Sequence, residues 1–308
     1  MFGGWPMSCA TGLLERVRRI NGVSEIRPEE PMSNHTSFRV GGPAKLFAVA
    51  ETEEAVVELY KTARELGLKF KIIGNGTNLL FKDEGFDGIV VKLGRGFDWA
   101  EFDGEIVRCG AAVSLSRLAA EAAERGLSGL EFAYGIPGTV GGALINNAGA
   151  HSKQIGDLVV TVEGITFEGE KVRRPREEID FGYRESSLKE LLCVTGAELK
   201  LERSSRERVK RLMEELFAQR RMKQPLGFPS AGSVFKNPPG LAAGALIERC
   251  GLKGATEGGA MVSNLHANFI VNLGTATASD IIKLIERVRD EVAAKTGIRL
   301  QLEIEIVG

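Results

Sequence analysis

Glycine crowding in two short stretches constrains this chain more than any other feature. Residues 74–80 read Gly-Asn-Gly-Thr-Asn-Leu-Leu, and five glycines (Gly135, Gly138, Gly141, Gly142, Gly149) fall within residues 135–149. A turn needs one or two glycines. Five with small residues between them imply a backbone pressed against a flat or extended ligand, or against another backbone. The excess is general, with 38 glycines in 308 residues, against an average of about 7%.

The first stretch directly follows an apparent strand, Lys69 to Ile73. Its glycines permit a tight turn that exposes N–H groups to an anion, and Thr77 and Asn78 add side-chain donors. No Gly-Lys-Ser/Thr follows, so it is not a P-loop. Leu79 stands where a dinucleotide fingerprint needs its third glycine. Taken alone, a plain strand-to-loop turn competes evenly with a phosphate cradle. With the second stretch in the same chain, a large cofactor carrying a pyrophosphate and a ring system is the better reading.

The rest of the sequence narrows the class. The length suits two or three domains. The net charge is −1, with no basic stripe for nucleic acid. Cys9, Cys109, Cys193 and Cys250 lie far apart, as free thiols of a reducing cytoplasm would, and three unpaired histidines argue against a metal centre. Met1 to Thr11 reads as a loose leader without the h-region of a signal peptide. No stretch offers the ~20 apolar residues of a membrane span.

Periodicity gives three blocks. Lys45 to Ala50, a helix from Thr52 to Leu66, Lys69 to Ile73 and Gly88 to Leu93 make a β-α-β crossover. Glu105 to Ala111, Leu158 to Phe167 and Leu191 to Leu201 read as strands around a helix from Ser114 to Arg125, stopped by Gly126. Ser204 with Glu207 forms a capping box opening a helix to Met222. After a proline-rich loop come a helix near Ala242 to Cys250, a strand at Asn268 to Leu273 and a helix from Ala278 to Thr296. Thr277 and Asp280 open that helix and Gly297 ends it. The chain closes in an alternating strand, Leu300 to Val307, with Glu303 and Glu305 on one face.

Polar candidates lie outside the glycines. Arg184, beside Tyr183, suits bidentate binding of a carboxylate or phosphate, or is a surface arginine. Ser233, Lys236 and Asn237 sit in a Gly-Ser turn between prolines, which is either a capped turn or a hydroxyl, a cation and an amide around one ligand. The chain lacks a Gly-x-Ser-x-Gly nucleophile elbow.

An ordered set of motifs resembles that of the UDP-N-acetylenolpyruvoylglucosamine reductase family. They are Asn34 to Ala44, the two glycine stretches, Tyr183-Arg184, Lys223-Gln224-Pro225, Gly232 to Pro238, and the pair His266 to Asn272 with Glu303 to Gly308. The resemblance implies an α+β protein: an FAD-binding fold of the vanillyl-alcohol-oxidase type, built from two α/β subdomains, plus a C-terminal α+β substrate domain. The implied division is a leader and helix over 1–30, one FAD subdomain over 31–95 with the terminal strand 300–308, a second over 96–203, and the substrate domain over 204–299.

By the same resemblance, FAD is held non-covalently by Gly74, Asn75, Gly76, Thr77 and Asn78, and by Gly138, Thr139, Gly141, Gly142, Ala143, Gly149 and Ala150. Arg184, Ser233 as proton donor, and Glu303 are the implied catalytic residues. Tyr183, Lys223 and Asn237 are the implied contacts to the substrate, UDP-N-acetylglucosamine enolpyruvate, and NADPH is the implied co-substrate. A cytoplasmic monomer without metal, membrane or nucleic-acid partner is expected. The short run from Arg184 to the Leu191 strand leaves no room for the extra tyrosine-bearing loop of some members. Two other readings stand beside this one: a different flavin oxidoreductase or oxidase of the same superfamily, and a non-catalytic nucleotide-binding protein.

Overall fold

The computed structural model describes residues 7–308, the side chains of 7–11 excepted. Of the expected leader, residues 1–6 lie outside the described residues, and Met7–Arg18 is a helix. The Cys9 side chain also lies outside them. Cys109, Cys193 and Cys250 are free and buried.

A four-stranded sheet comes first, in the order Val23–Pro31, Pro43–Ala50, Phe86–Leu93, Lys69–Ile73. The last three run parallel, as the crossover pattern requires, and Glu53–Glu65 is the crossover helix. Thr52 caps it by accepting from the Ala55 amide, and Ala55, Val56, Leu59 and Ala63 form the buried stripe. The Val23–Pro31 strand has no counterpart in the sequence reading. It carries Pro28 and a run of glutamates without apolar alternation, which is tolerable because it is an edge strand.

A five-stranded antiparallel sheet follows, in the order Lys171–Pro175, Val159–Ile165, Cys193–Lys200, Ile106–Gly110, Ala100–Asp103. Its helix, Leu115–Glu124, is capped by Ser114 and stopped by Gly126 at φ +67°. The two sheets and their helices share one apolar core, in which Leu46, Val91, Leu118 and Val162 are buried.

The third region packs helix Ala278–Thr296 on a three-stranded sheet (Thr256–Glu257, Ala260–Val262, Ile270–Asn272) and helix Ala243–Arg249. Its core takes in Phe38, Val40 and Leu80 from the first region. Two polar clamps reinforce that seam. Asp83 accepts from the Ala278 and Ser279 amides at the start of the long helix, both at 2.8 Å, where a carboxylate also meets the positive end of the helix dipole. Asn272 donates to the Phe38 carbonyl at 2.9 Å in the buried interior.

Two expectations need correction. The helix expected from Ser204 is capped by Ser205, which accepts from Arg208, and runs Arg206–Lys223. The Ser204 amide is tied to the Gly126 carbonyl instead, so the helix starts one residue later. The terminal strand is Glu305–Val307, not Leu300 to Val307. Its neighbours change along its length: the Glu303 amide donates to Val234, whereas the Glu305 amide donates to Asn78. A period-2 pattern continues through such a change of partner, while the ladder does not.

Candidate active site

The first glycine stretch leaves the end of Lys69–Ile73 and turns under the backbone of residues 35–37. Gly76 sits at φ +61°, and a Cβ there would stand 2.0 Å from the His35 carbonyl oxygen. The Ser37 amide closes the contact by donating to Gly76 at 3.1 Å. Only glycine meets both conditions. Among the described residues, the amides of Asn75, Gly76 and Thr77 donate to no protein acceptor, so the turn presents donors of the kind an anion collects. Asn78 faces the other way. Its side chain donates to the Glu303 carbonyl at 3.2 Å, and its own carbonyl accepts from Glu305 at 2.9 Å.

The second stretch meets the first. Thr77 donates to the Pro137 carbonyl at 3.3 Å, and a Cβ on Gly74 would lie 2.5 Å from the Thr139 hydroxyl oxygen. Thr139 caps the short helix Val140–Ile145. Within that helix the Gly141 amide is spent on Ala111, and a Cβ on Gly141 would come 2.9 Å from the Ala111 methyl. Gly141 therefore serves close packing. Gly138 and Gly142 are open by comparison, with nothing but Thr77 and Thr139 side chains nearby. Gly149 and Ala150 form a small hairpin with Lys153 and Gln154, and Ala143 lies on the buried face of the helix.

Asn147 lies within the second glycine stretch, has no role in the sequence reading, and proves central. It is 1% exposed, holds φ +42°, donates to the carbonyl of Gly182 at 2.8 Å and accepts from the Gly156 amide at 3.1 Å. Ser186 adds bonds to the Leu144 and Ile145 carbonyls, both at 2.9 Å. Together they fix a hairpin, Phe181–Gly182 with Glu185–Ser186, whose tip is Tyr183-Arg184. Arg184 adopts φ +60°, which costs a non-glycine residue roughly 1–2 kcal/mol. Strain of this kind persists where surrounding bonds over-determine it, and it concentrates at functional positions. The hairpin leads straight through residues 187–190 into Cys193–Lys200, so the connection is as short as expected.

Arg184 and Glu303 come together. The Arg184 Nε lies 2.7 Å from Glu303 Oε1, though its N–H is not aligned for a hydrogen bond. Burial pushes the Glu303 carboxyl up from its ordinary range, and the charges of Arg184 and Lys236 only partly offset it. Glu305, two residues on, pairs with Lys71 on the outside, 2.5 Å away. The two glutamates that alternation left on one face therefore have different surroundings.

The Ser233 segment runs beside Glu303, whose amide donates to Val234 at 2.8 Å. Among the described residues the half-buried Ser233 hydroxyl makes no hydrogen bond. The segment is linked to the Arg184 hairpin twice: the Asn237 amide donates to the Tyr183 hydroxyl at 3.4 Å, and Lys236 to Glu185 at 3.2 Å. Asn237 also accepts from the Ala243 amide at 2.9 Å, which leaves its side-chain amide donors for a ligand. The Tyr183 ring lies under the Arg184 guanidinium, 5.4 Å away. Lys223 is exposed at the end of its helix and, among the described residues, makes no hydrogen bond or ion pair with any of these.

Open amides on one turn and an unaligned, buried guanidinium N–H beside it fit a phosphate-bearing, partly flat ligand such as FAD. Among the described residues no cluster of histidine, cysteine, aspartate or glutamate could hold a metal ion.

The chain is similar to known proteins over most of its length. The family model for the C-terminal domain of UDP-N-acetylenolpyruvoylglucosamine reductase matches residues 224–307, and that for an FAD binding domain matches residues 44–173. The UDP-N-acetylenolpyruvoylglucosamine reductase of Heliobacterium modesticaldum is 48% identical over 91% of this chain and 90% of its own. That of Bacillus subtilis is 40% identical over 93% and 95%. The crystal structure of the Thermus caldophilus enzyme superposes with a TM-score of 0.79 at 38% identity, covering 93% of this chain and 99% of that one.

Proposed function

The chain belongs to the UDP-N-acetylenolpyruvoylglucosamine reductase family of FAD-dependent oxidoreductases, and from that premise we propose that it reduces UDP-N-acetylglucosamine enolpyruvate to UDP-N-acetylmuramate with NADPH. The observation that carries this reading is the meeting of Arg184 and Glu303 beside the Ser233 segment, where the two glycine stretches touch. FAD, held by the glycine stretches, would supply the hydride that adds to the β-carbon of the enolpyruvyl double bond.

The chain's own residues do the remainder. Hydride addition leaves negative charge at the α-carbon, delocalised into the carboxylate. Arg184, fixed on a strained hairpin, presents its fork to that carboxylate. Glu303, whose carboxyl burial pushes up from its ordinary range, would in its protonated form donate to the same developing charge. Donors preset toward charge that appears only in the transition state carry a large share of catalysis, on the order of 3 kcal/mol for one. Ser233 completes the reaction by giving its proton to the α-carbon. A serine hydroxyl is a weak acid and needs an acceptor as basic as this carbanion. The free Ser233 hydroxyl supports that role. Lys223, Tyr183 and Asn237 bind the UDP-sugar in this scheme.

Both glycine stretches and all three catalytic side chains come from one chain, so a monomer suffices. We place the reaction in peptidoglycan precursor synthesis in the cytoplasm. Among the described residues no helix is long and apolar enough to cross a membrane.

The test is turnover of the enolpyruvyl sugar with NADPH by the purified, FAD-loaded protein. No product, or a protein that cannot be loaded with FAD, defeats the reading. Ser233→Ala sharpens it: normal product at wild-type speed from pre-reduced enzyme would remove Ser233 as the proton donor.

A further inference from the structure

Arg220 has no place in the scheme above, yet its surroundings are unusual. It lies in the last turn of helix Arg206–Lys223, where most basic neighbours reach solvent. Its stem instead packs against the second glycine stretch: a Cβ on Gly135 would lie 3.6 Å from the Arg220 Cδ. Its Nε is buried and has no hydrogen-bond partner. Among the described residues no carboxylate forms an ion pair with it, whereas Glu303 answers Arg184 and Glu185 answers Lys236.

Burial and the nearby charge of Arg184 both push the Arg220 guanidinium down from its ordinary range. Arg220 thus feels the positive charge of Arg184 but, among the described residues, has no carboxylate of its own. A buried cation without a partner is costly, and native chains keep such groups where a ligand completes them.

We infer that Arg220 is an anion-binding residue of the active site, taking an oxyanion of a bound ligand beside Arg184. The inference rests on the reading of the site as one that binds FAD and the enolpyruvyl sugar. Two oxyanions share the required chemistry: the diphosphate of FAD, running along the glycine stretch at Gly135, and the carboxylate of the substrate, beside Arg184. A planar fork suits either one, through paired N–H···O bonds.

Arg220→Met and Arg220→Lys test the inference, after wild-type FAD binding and turnover have been established separately. Flavin affinity is measured by fluorescence titration of the apoprotein, and KM for the enolpyruvyl sugar at saturating FAD. We expect Arg220→Met to lose tenfold or more in one of the two. A loss in flavin affinity assigns the diphosphate, and a rise in KM assigns the carboxylate. Arg220→Lys, which keeps the charge without the fork, should fall between Met and wild type. A merely structural arginine would not give the accompanying signature: the ligand-free Met variant should melt at or above the wild-type temperature, because an unpaired buried charge has gone. Flavin affinity and KM both within twofold of wild type in the two variants would overturn the inference. If Arg220→Met fails to fold, the lysine variant alone decides by the same twofold criterion.

Discussion

The two glycine stretches look alike in sequence and do different physical work. Residues 74–78 form an open turn whose Gly76 is forced by another backbone and whose amides at Asn75, Gly76 and Thr77 have no protein acceptor among the described residues. Residues 135–150 form a closed unit, a capped helix whose amides at Val140 and Gly141 are already bonded to Val113 and Ala111. The first holds Glu303 through Asn78, and the second holds Arg184 through Asn147 and Ser186. Each glycine stretch thus anchors one of the two charged groups to which the proposed function gives a catalytic role. A cofactor that orders both loops therefore also sets the distance between those groups.

The sharpest way to break the comparison is Gly76→Ala. A Cβ cannot stand 2.0 Å from a carbonyl oxygen, so the turn must move. With the positive φ, the loss is expected at roughly 3 kcal/mol or more, together with flavin binding. Thermal unfolding and flavin titration measure both, and a variant with wild-type affinity would show that the turn is not the cradle.

Asn147→Ala strikes the other unit. It leaves the Gly156 amide and the Gly182 carbonyl without their partner, at about 1–3 kcal/mol for each buried group. The hairpin tip should loosen, so kcat is expected to drop tenfold or more while flavin affinity changes little. Equal losses in both quantities would mean that the second stretch does not separate positioning from binding.

The pH profile probes the Arg184–Glu303 pair with a smaller effect. Burial raises the Glu303 carboxyl, so its protonated form persists above the usual carboxylate range. Activity that needs this proton should decline on the alkaline side of the raised value, and Glu303→Gln should flatten that limb. Asp83 behaves oppositely. Burial pushes it up, but the Ser279 hydroxyl and the Ser279 and Ala278 amides outweigh burial and hold it below its ordinary range. Its stabilisation is complete above the unfolded-state value and is lost as pH falls through the lowered one. Acid should therefore loosen the seam at helix Ala278–Thr296, and Asp83→Asn should weaken that acid dependence.

The smallest effect belongs to Gly142→Ala. A Cβ there meets only the Thr139 hydroxyl at 3.6 Å, so stability should change by no more than about 0.5 kcal/mol. A drop in flavin affinity without a change in melting temperature would place a ligand over Gly142. Unchanged affinity would restrict the cofactor to the open turn and to Gly138.

The sequence by itself determined the crossover helix, the helix stopped by Gly126, the Thr277–Asp280 capping box and the Gly297 stop, because these rest on patterns between residues three or four apart. It also pointed to Arg184, Ser233 and Glu303 through an ordered set of motifs. The motifs singled out Glu303 over Glu305, but only the tertiary structure gave the physical difference: alternation puts both on one face, while the chain changes ladder partners between them and brings Glu303 alone to Arg184. Only the tertiary structure revealed the edge strand Val23–Pro31, the Asn147 hub and the unpaired Arg220. None of these has a local pattern. Each is defined by what a distant segment places beside it: residues 43–50 for the strand, Gly182 and Gly156 for Asn147, and Gly135 and Arg184 for Arg220. The glycines divide in the same way. Their number in the sequence told that something comes close to the backbone, and the fold told that at Gly76 and Gly141 it is the protein itself, while at Gly138 and Gly142 only a threonine side chain comes near.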